Sequence, residues 1–134
     1  MNQEKKGKYS RLIFGIILFI LLAISPVIFA GAAESQAKKK ALIVWGGWEG
    51  HEPKKCVDIF APWLKEQNFE VEISNTLDAY LDLEKLKKLD VIIQVWTQGT
   101  ITPEQERNLE EAVKSGVGLA GWHGGLADSF RMNT

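Results

Sequence analysis

The two histidines of the chain lie in two glycine-rich segments. His51 closes the segment Trp45-Gly46-Gly47-Trp48-Glu49-Gly50-His51, and His123 is the central residue of Gly121-Trp122-His123-Gly124-Gly125. Imidazole gains and loses a proton near neutral pH, so each side chain can be a general acid, a general base or a metal ligand. We therefore predict His123 and His51 as the catalytic candidates.

The spacing around His123 is that of a nucleophile elbow, in which a strained turn after a buried strand exposes one side chain between small residues. Histidine at the exposed position is a poor acyl acceptor but an effective acid or base. A histidine that only hydrogen-bonds within a tight turn fits the same spacing, so a structural role stays open.

Tryptophans follow the predicted ends of three strands. Indole rings stack on the apolar faces of sugars, and neighbouring polar side chains can bond hydroxyl groups. The predicted carbohydrate-binding residues are Trp45, Gly46, Gly47, Trp48, Trp96, Thr97, Gln98 and Trp122. We expect them to share one rim with the histidines. Alternatively, the indoles only plug the end of the sheet. Trp63, within a predicted helix, is expected in the core.

The pair Gly46-Gly47 follows the first strand, where glycines can admit a phosphate to a helix N-terminus. Bulky Trp48 and acidic Glu49 oppose an anion there. The glycines are therefore predicted to let the backbone turn tightly and to bring His51 over the edge of the sheet.

Short apolar runs alternate with helical patterns along the chain. Continuous runs are typical of strands buried on both faces, whereas the alternating second run suits an edge strand. Thr102 and Pro103 are predicted as the N-cap and first residue of the third helix, and Asp82 as the cap of the second. The predicted strands are 41–45, 69–73, 90–96 and 117–121, and the predicted helices are 53–67, 82–88 and 103–115.

This alternation predicts a parallel sheet with helices on both faces. In a 2-1-3-4 strand order, ligands bind beyond the carboxyl ends of the first and third strands. The chemistry-bearing loops follow those ends. If the fourth strand is an edge, we expect Val117, Leu119, Leu109 and Val113 to be partly exposed.

Residues 1–32 combine a cationic start with a long apolar run and the small residues Ala30-Gly31-Ala32. This pattern predicts a signal peptide, with a retained membrane anchor over 12–33 as the alternative, so the protein is expected to be exported. Residues 33–39 are predicted as a linker and 40–134 as the domain. The chain after residue 32 has a net charge of −4, which argues against a nucleic-acid partner.

Cys56 is the single cysteine, so the chain cannot form an internal disulfide or a cysteine-rich zinc cluster. We predict no cofactor and no metal. The alternative is a metal-dependent hydrolase in which His51, His123 and a carboxylate such as Glu52 or Asp128 form a facial set.

The motifs together resemble the ThuA-like (trehalose utilization) domain. The resemblance rests on Trp45-Gly46-Gly47 with His51, Trp96-Thr97-Gln98-Gly99, Thr102-Pro103-Glu104-Gln105 and the run 116–123. It implies an α/β fold of flavodoxin-like, three-layer (αβα) type, with the parallel sheet of the class I glutamine amidotransferase-like fold. Residues 39–134 correspond to the N-terminal half or so of such a domain, so we expect the fold to be incomplete at the C-terminus.

The resemblance also implies a link to the use of trehalose, related disaccharides or keto-sugars. His123 occupies the position of the amidotransferase cysteine, which argues against a glutaminase that works through a thioester. The leading prediction is an exported domain that binds or acts on a small carbohydrate, with His123 as acid/base and His51 assisting. A non-catalytic sugar-binding or scaffold domain is the other alternative, and the sequence leaves the oligomeric state open.

Overall fold

Four parallel strands form one sheet in the computed structural model, which describes residues 37–131. The strands are β1 (Lys39–Gly47), β2 (Phe69–Ser74), β3 (Val91–Thr97) and β4 (Gly118–Gly121). Their order is β2-β1-β3-β4, which confirms the 2-1-3-4 prediction. The carboxyl ends of all four strands therefore lie at the same edge, with β1 and β3 adjacent at the centre.

Three α-helices connect the strands: α1 (Pro53–Glu66), α2 (Leu83–Leu86) and α3 (Pro103–Lys114). As predicted, Asp82 caps α2 by accepting a hydrogen bond from the Lys85 backbone N–H at 3.0 Å. Thr102 caps α3 in a reciprocal capping box with Gln105. The helix α2 is shorter than the predicted 82–88, because Lys87 already closes its C-terminus.

The core has two parts, one on each face of the sheet. Alternate strand residues point to opposite faces, so neighbours along β1 enter different clusters. The cluster under α1 contains Ala41, Ile43, Val57, Ala61, Leu64, Ile93 and Val95. The cluster under α2 and α3 contains Leu42, Val44, Leu77, Tyr80, Leu86, Ile92, Ile101, Ala112 and Val117. Helices on both faces confirm the predicted three-layer α/β arrangement.

Several exposed apolar residues lie on the outer surface of α1, and others lie on or beside β4. Leu119 and Val113 are 38% and 37% exposed, as expected for an edge strand and its neighbouring helix. Val117 is buried, so that part of the expectation is wrong, because its side chain enters the cluster under α2 and α3. The prediction for Trp63 is also wrong: its side chain is 52% exposed on the outer face of α1.

The predicted signal peptide or anchor, residues 1–32, and most of the predicted linker lie outside the described residues. The first strand begins at Lys39, the last residue of the range predicted as linker. Between residues 37 and 131, no helix has the length and apolar character required to span a bilayer.

Candidate functional site

The last residue of β1, Gly47, meets the end of β3 at a position that only glycine fits. Gly47 has a φ of +81°, and a Cβ atom there would overlap the backbone carbonyl of Thr97. The next residue, Trp48, donates its backbone N–H to the same Thr97 oxygen at 3.0 Å. A 3₁₀ turn (Glu49–His51) then leads to α1. This path places His51 over the carboxyl end of β3, as the glycine pair predicted.

The imidazole of His51 lies where three segments meet. Its Nδ1 is 3.1 Å from Oγ1 of Thr97 and 3.4 Å from the backbone oxygen of Gly124. The Thr97 hydroxyl also donates a hydrogen bond to that Gly124 oxygen. The ring of Trp48 packs edge-on against the imidazole, with the ring centres 4.8 Å apart. Residues that follow β1, end β3 and follow β4 are thus in direct contact.

His123 begins a single π-helical turn (His123–Ala127) directly after β4. Its side chain is 83% exposed, and its Nδ1 lies 3.8 Å from Oδ2 of Asp128. The other carboxylate oxygen of Asp128 pairs with Arg131 at 3.0 Å. Because Gly124 is the next residue in the chain and touches His51, the two histidines lie at the same edge of the sheet.

The expectation of a strained elbow at His123 is wrong. Trp122 is extended, with φ −135° and ψ 173°, and His123 is not in the left-handed region. The small residues serve another purpose: a Cβ atom on Gly125 would lie 2.8 Å from the Cα of Val95. The turn is therefore pressed against the end of β3, which a side chain at Gly125 would prevent.

Gln98, at the end of β3, is one of the residues that do adopt the left-handed conformation, with a φ of +60°. Gln98 donates its backbone N–H to the oxygen of Asp128 at 2.9 Å, and its oxygen accepts from the Phe130 N–H at 3.2 Å. This pairing fixes the segment after the π turn alongside the end of β3. The Gln98 side chain itself is exposed at the same edge.

The tryptophans do not form one wall, contrary to the expectation of a common rim. Trp45 is level with Val95 on β3, whereas Trp96 is level with Gly46, so Trp45 and Trp96 project from opposite faces. Trp45 and Trp122 pack against the cluster under α1, and Trp96 packs against the cluster under α2 and α3. Trp48 lies beside His51 and, at 51% exposure, is more exposed than the other three indoles at this edge.

Two of the predicted sugar-binding residues, Thr97 and Gly46, lie beneath the site and support the loops around it. Thr97 is 2% exposed and its hydroxyl is engaged by Gly124 and His51. Gly46 lies under the Trp96 ring, which a Cβ atom would contact at 2.6 Å. Both residues shape the edge of the sheet from within.

A buried polar chain that sequence reasoning missed holds the π turn from the other face. Tyr80 donates its hydroxyl to Oε1 of Gln94 at 3.0 Å, and Gln94 donates Nε2 to Oγ of Ser129 at 2.8 Å. The Ser129 hydroxyl in turn donates a hydrogen bond to the backbone oxygen of Trp96 at 2.7 Å. Burial raises the pKa of Tyr80 well above its ordinary value. The sequence signal for this chain of hydrogen bonds was Gln94, a polar residue within the apolar run 90–96.

A groove of about 420 Å³ lies between α3 and β4, on the sheet face opposite α1. Leu109, Val113, Leu119 and Phe130 are among its lining residues, and neither histidine is. Within residues 37–131, no three side chains of histidine, cysteine, aspartate or glutamate converge as metal ligands would. The structure thus offers no observation in favour of the metal-dependent hydrolase.

Comparison with known proteins identifies relatives of this arrangement. A family model described as ThuA, trehalose utilisation, matches residues 40–133. The crystal structure of a ThuA-like protein from Bacteroides uniformis ATCC 8492 superposes with a TM-score of 0.57 and 25% sequence identity. Among curated proteins, none is similar enough to count as a match.

The superposition covers 70% of this chain and 40% of the Bacteroides uniformis protein. The chain therefore spans less than half the length of that structure. The likeness places the parallel α/β sheet in the flavodoxin-like class.

Proposed function

Because this chain belongs to the ThuA (trehalose utilisation) family, we propose that it binds a small carbohydrate at the carboxyl edge of its sheet. In this proposal, His123 acts as acid and base on the bound sugar, and His51 assists. One observation carries the proposal: His51, Thr97 and the turn that begins at His123 are in contact at that edge, although they come from three separate parts of the chain.

The side chains exposed at this edge support the proposal of a bound sugar. The half-exposed indole of Trp48 can stack on the C–H face of a pyranose ring. Glu49 and Gln98 are exposed on the two loops that flank the β1 and β3 ends, where their polar groups can bond hydroxyls. The His123 side chain is largely exposed. Burial therefore does not separate it from a sugar that is stacked on Trp48.

Oδ2 of Asp128 lies 3.8 Å from Nδ1 of His123, an ion-pair distance for a protonated ring but longer than a hydrogen bond. In this proposal the carboxylate closes on Nδ1 when a sugar binds and leaves Nε2 to the ligand, which is the usual arrangement of an acid/base histidine. Arg131 binds the same carboxylate and limits its movement. His123, Asp128 and Arg131 thus form a short polar series at the proposed site.

Isothermal titration of the full chain against disaccharides and keto-sugars tests the proposal. We expect heat from at least one of these sugars, lost or strongly reduced in Trp48→Ala. The matched control is Trp63→Ala, which removes a similarly exposed indole from the outer face of α1. Folded protein that binds no sugar in the panel, or equal losses in both variants, would contradict the site.

Replacement of His123 separates catalysis from binding. If His123 transfers protons, His123→Ala removes turnover of a bound sugar while retaining most of the affinity. Unchanged turnover in this variant would instead support the non-catalytic sugar-binding or scaffold role.

We further propose that residues 1–32 direct export, as their charge and hydropathy pattern indicates. Expression of the full chain in bacteria, followed by cell fractionation and N-terminal sequencing, tests this. Envelope or secreted protein is expected, with a new N-terminus near residue 33 if the leader is cleaved. Protein that stays in the cytoplasm with an intact N-terminus would overturn it.

A further inference from the structure

We propose that Thr97 is a positioning residue that holds neutral His51 with its proton on Nδ1, so that Nε2 is the nitrogen through which His51 accepts a proton when it assists His123. The inference rests on the proposed function for the identity of the proton donor, a sugar hydroxyl, but the tautomer itself follows from the hydrogen bonds of the folded chain.

The argument starts from the Thr97 hydroxyl, which has a single hydrogen. That hydrogen is used in the bond to the Gly124 carbonyl oxygen. Toward Nδ1 of His51, 3.1 Å away, Oγ1 of Thr97 therefore presents a lone pair. The Gly124 oxygen, 3.4 Å from the same nitrogen, is a carbonyl and accepts only.

Nδ1 of His51 is thus faced by two acceptors. A neutral imidazole has a proton on one nitrogen and a lone pair on the other. A lone pair on Nδ1 would oppose two oxygen lone pairs, whereas a proton on Nδ1 satisfies them. Because Thr97 is nearly fully buried, water cannot readily replace its contact with Nδ1.

The consequence is that Nε2 carries the lone pair. Within residues 37–131, no hydrogen-bond partner reaches Nε2, and the His51 side chain is exposed. When a sugar hydroxyl gives up its proton, the O–H bond breaks with its electron pair left on the sugar oxygen, and the Nε2 lone pair forms the new N–H bond. The ring becomes imidazolium, and its Nδ1–H still faces the two oxygens, which stabilise the added positive charge.

Gly124 also helps to fix the tautomer, because its carbonyl oxygen sets the direction of the Thr97 hydroxyl. Its backbone also touches the imidazole so closely that a Cβ atom would overlap Nδ1. The positions of the hydroxyl and of the ring are therefore fixed together by the turn after β4.

Nitrogen-15 NMR of the full chain measures the tautomer directly, without any sugar. The chain has only two histidines, so the spectrum of His123→Ala assigns the His51 signals. At a pH where the ring is neutral, we expect a protonated signal at Nδ1 and an unprotonated signal at Nε2. The expected excess of this tautomer is up to about tenfold, which one net hydrogen bond can supply.

Thr97→Val removes the hydroxyl at nearly constant volume, and Thr97→Ser retains it. We expect the tautomer excess to fall in the valine variant, where the more distant Gly124 oxygen is the remaining acceptor at Nδ1, and to return in the serine variant, with turnover following the same order. A predominant Nε2–H form in the wild-type protein would overturn the inference. So would a wild-type tautomer ratio in folded Thr97→Val.

The serine variant and the wild-type spectrum keep the test decisive if the valine variant fails to fold. Absence of sugar binding together with the expected spectrum would refute the proposed function and leave the tautomer assignment intact. Sugar turnover with the opposite tautomer would do the reverse.

Discussion

Nδ1 of His51 lies 3.1 Å from Oγ1 of Thr97, although the two residues are 46 positions apart in the chain. The contact exists because β1 and β3 are adjacent in the sheet and both end at the same edge. The imidazole is therefore fixed by tertiary structure, and its geometry depends on the loop after β1, the end of β3 and the turn after β4.

Gly124→Ala should displace the His51 ring. The added methyl group overlaps Nδ1, and overpacking of this kind costs about 1–3 kcal/mol. We expect a lower free energy of unfolding, altered His51 ring signals in NMR and weaker sugar binding.

A double-mutant cycle with His51→Ala isolates this clash. In the alanine background the ring is absent, so Gly124→Ala should cost much less. An equal cost in both backgrounds would show that the methyl group meets something other than the imidazole.

Ser129→Ala should loosen the turn that carries His123. The change leaves the buried Nε2 of Gln94 without its 2.8 Å partner, at a cost of about 1–3 kcal/mol. Hydrogen exchange of the amides of Gly125 and Leu126 should become faster. Ser115→Ala, which removes only a local hydroxyl bond to Ala112 at the end of α3, is the matched control. Similar exchange rates in the two variants would refute the role of Ser129.

Tyr80→Phe should change the response of the protein to alkaline pH. Burial raises the folded-state pKa of Tyr80, so the unfolded chain releases this proton first as the pH rises. The contribution of Tyr80 to the free energy of unfolding is fully present below about pH 10. Above that pH it falls by about 1.4 kcal/mol for each pH unit.

Urea unfolding at neutral pH and above pH 10 measures this effect. The phenylalanine variant should be less stable at neutral pH, because Oε1 of Gln94 loses its donor, but its stability should fall less steeply with alkali. Tyr9, the only other tyrosine, is present in both proteins. Identical slopes above pH 10 would contradict the assignment to Tyr80.

Thr102→Ala should destabilise α3 by about 1 kcal/mol through loss of its N-cap. Thermal or urea unfolding measures the cost. Thr100→Ala is the control, because Thr100 is exposed and precedes the capping box. A comparable loss from both substitutions would show that the cap itself contributes little.

The sequence was sufficient to predict the order of the strands, both capped helices and the edge to which the histidines belong. These features depend on local signals, such as the apolar run before Trp45 or the Thr102-Pro103 helix start. They also follow general rules for parallel sheets, which place all loops after β1, β3 and β4 together.

The environment of each tryptophan could not be predicted in the same way. Whether Trp45 and Trp96 share a face depends on the register between two strands, and a shift of one residue reverses the answer. The roles of Ser129 and Asp128 depend on the π turn, which brings residues beyond β4 back to β3 and has no simple sequence signal.

The two borders of the sheet differ in chemistry. On β2, Glu70 and Glu72 are exposed, and Glu72 forms an ion pair with Lys85 at 2.6 Å. On β4, the segment Gly118–Gly121 is exposed and contains no charged residue. Because charges deter strand addition and small apolar residues do not, we expect the β4 border to accept another polypeptide backbone more readily than the β2 border.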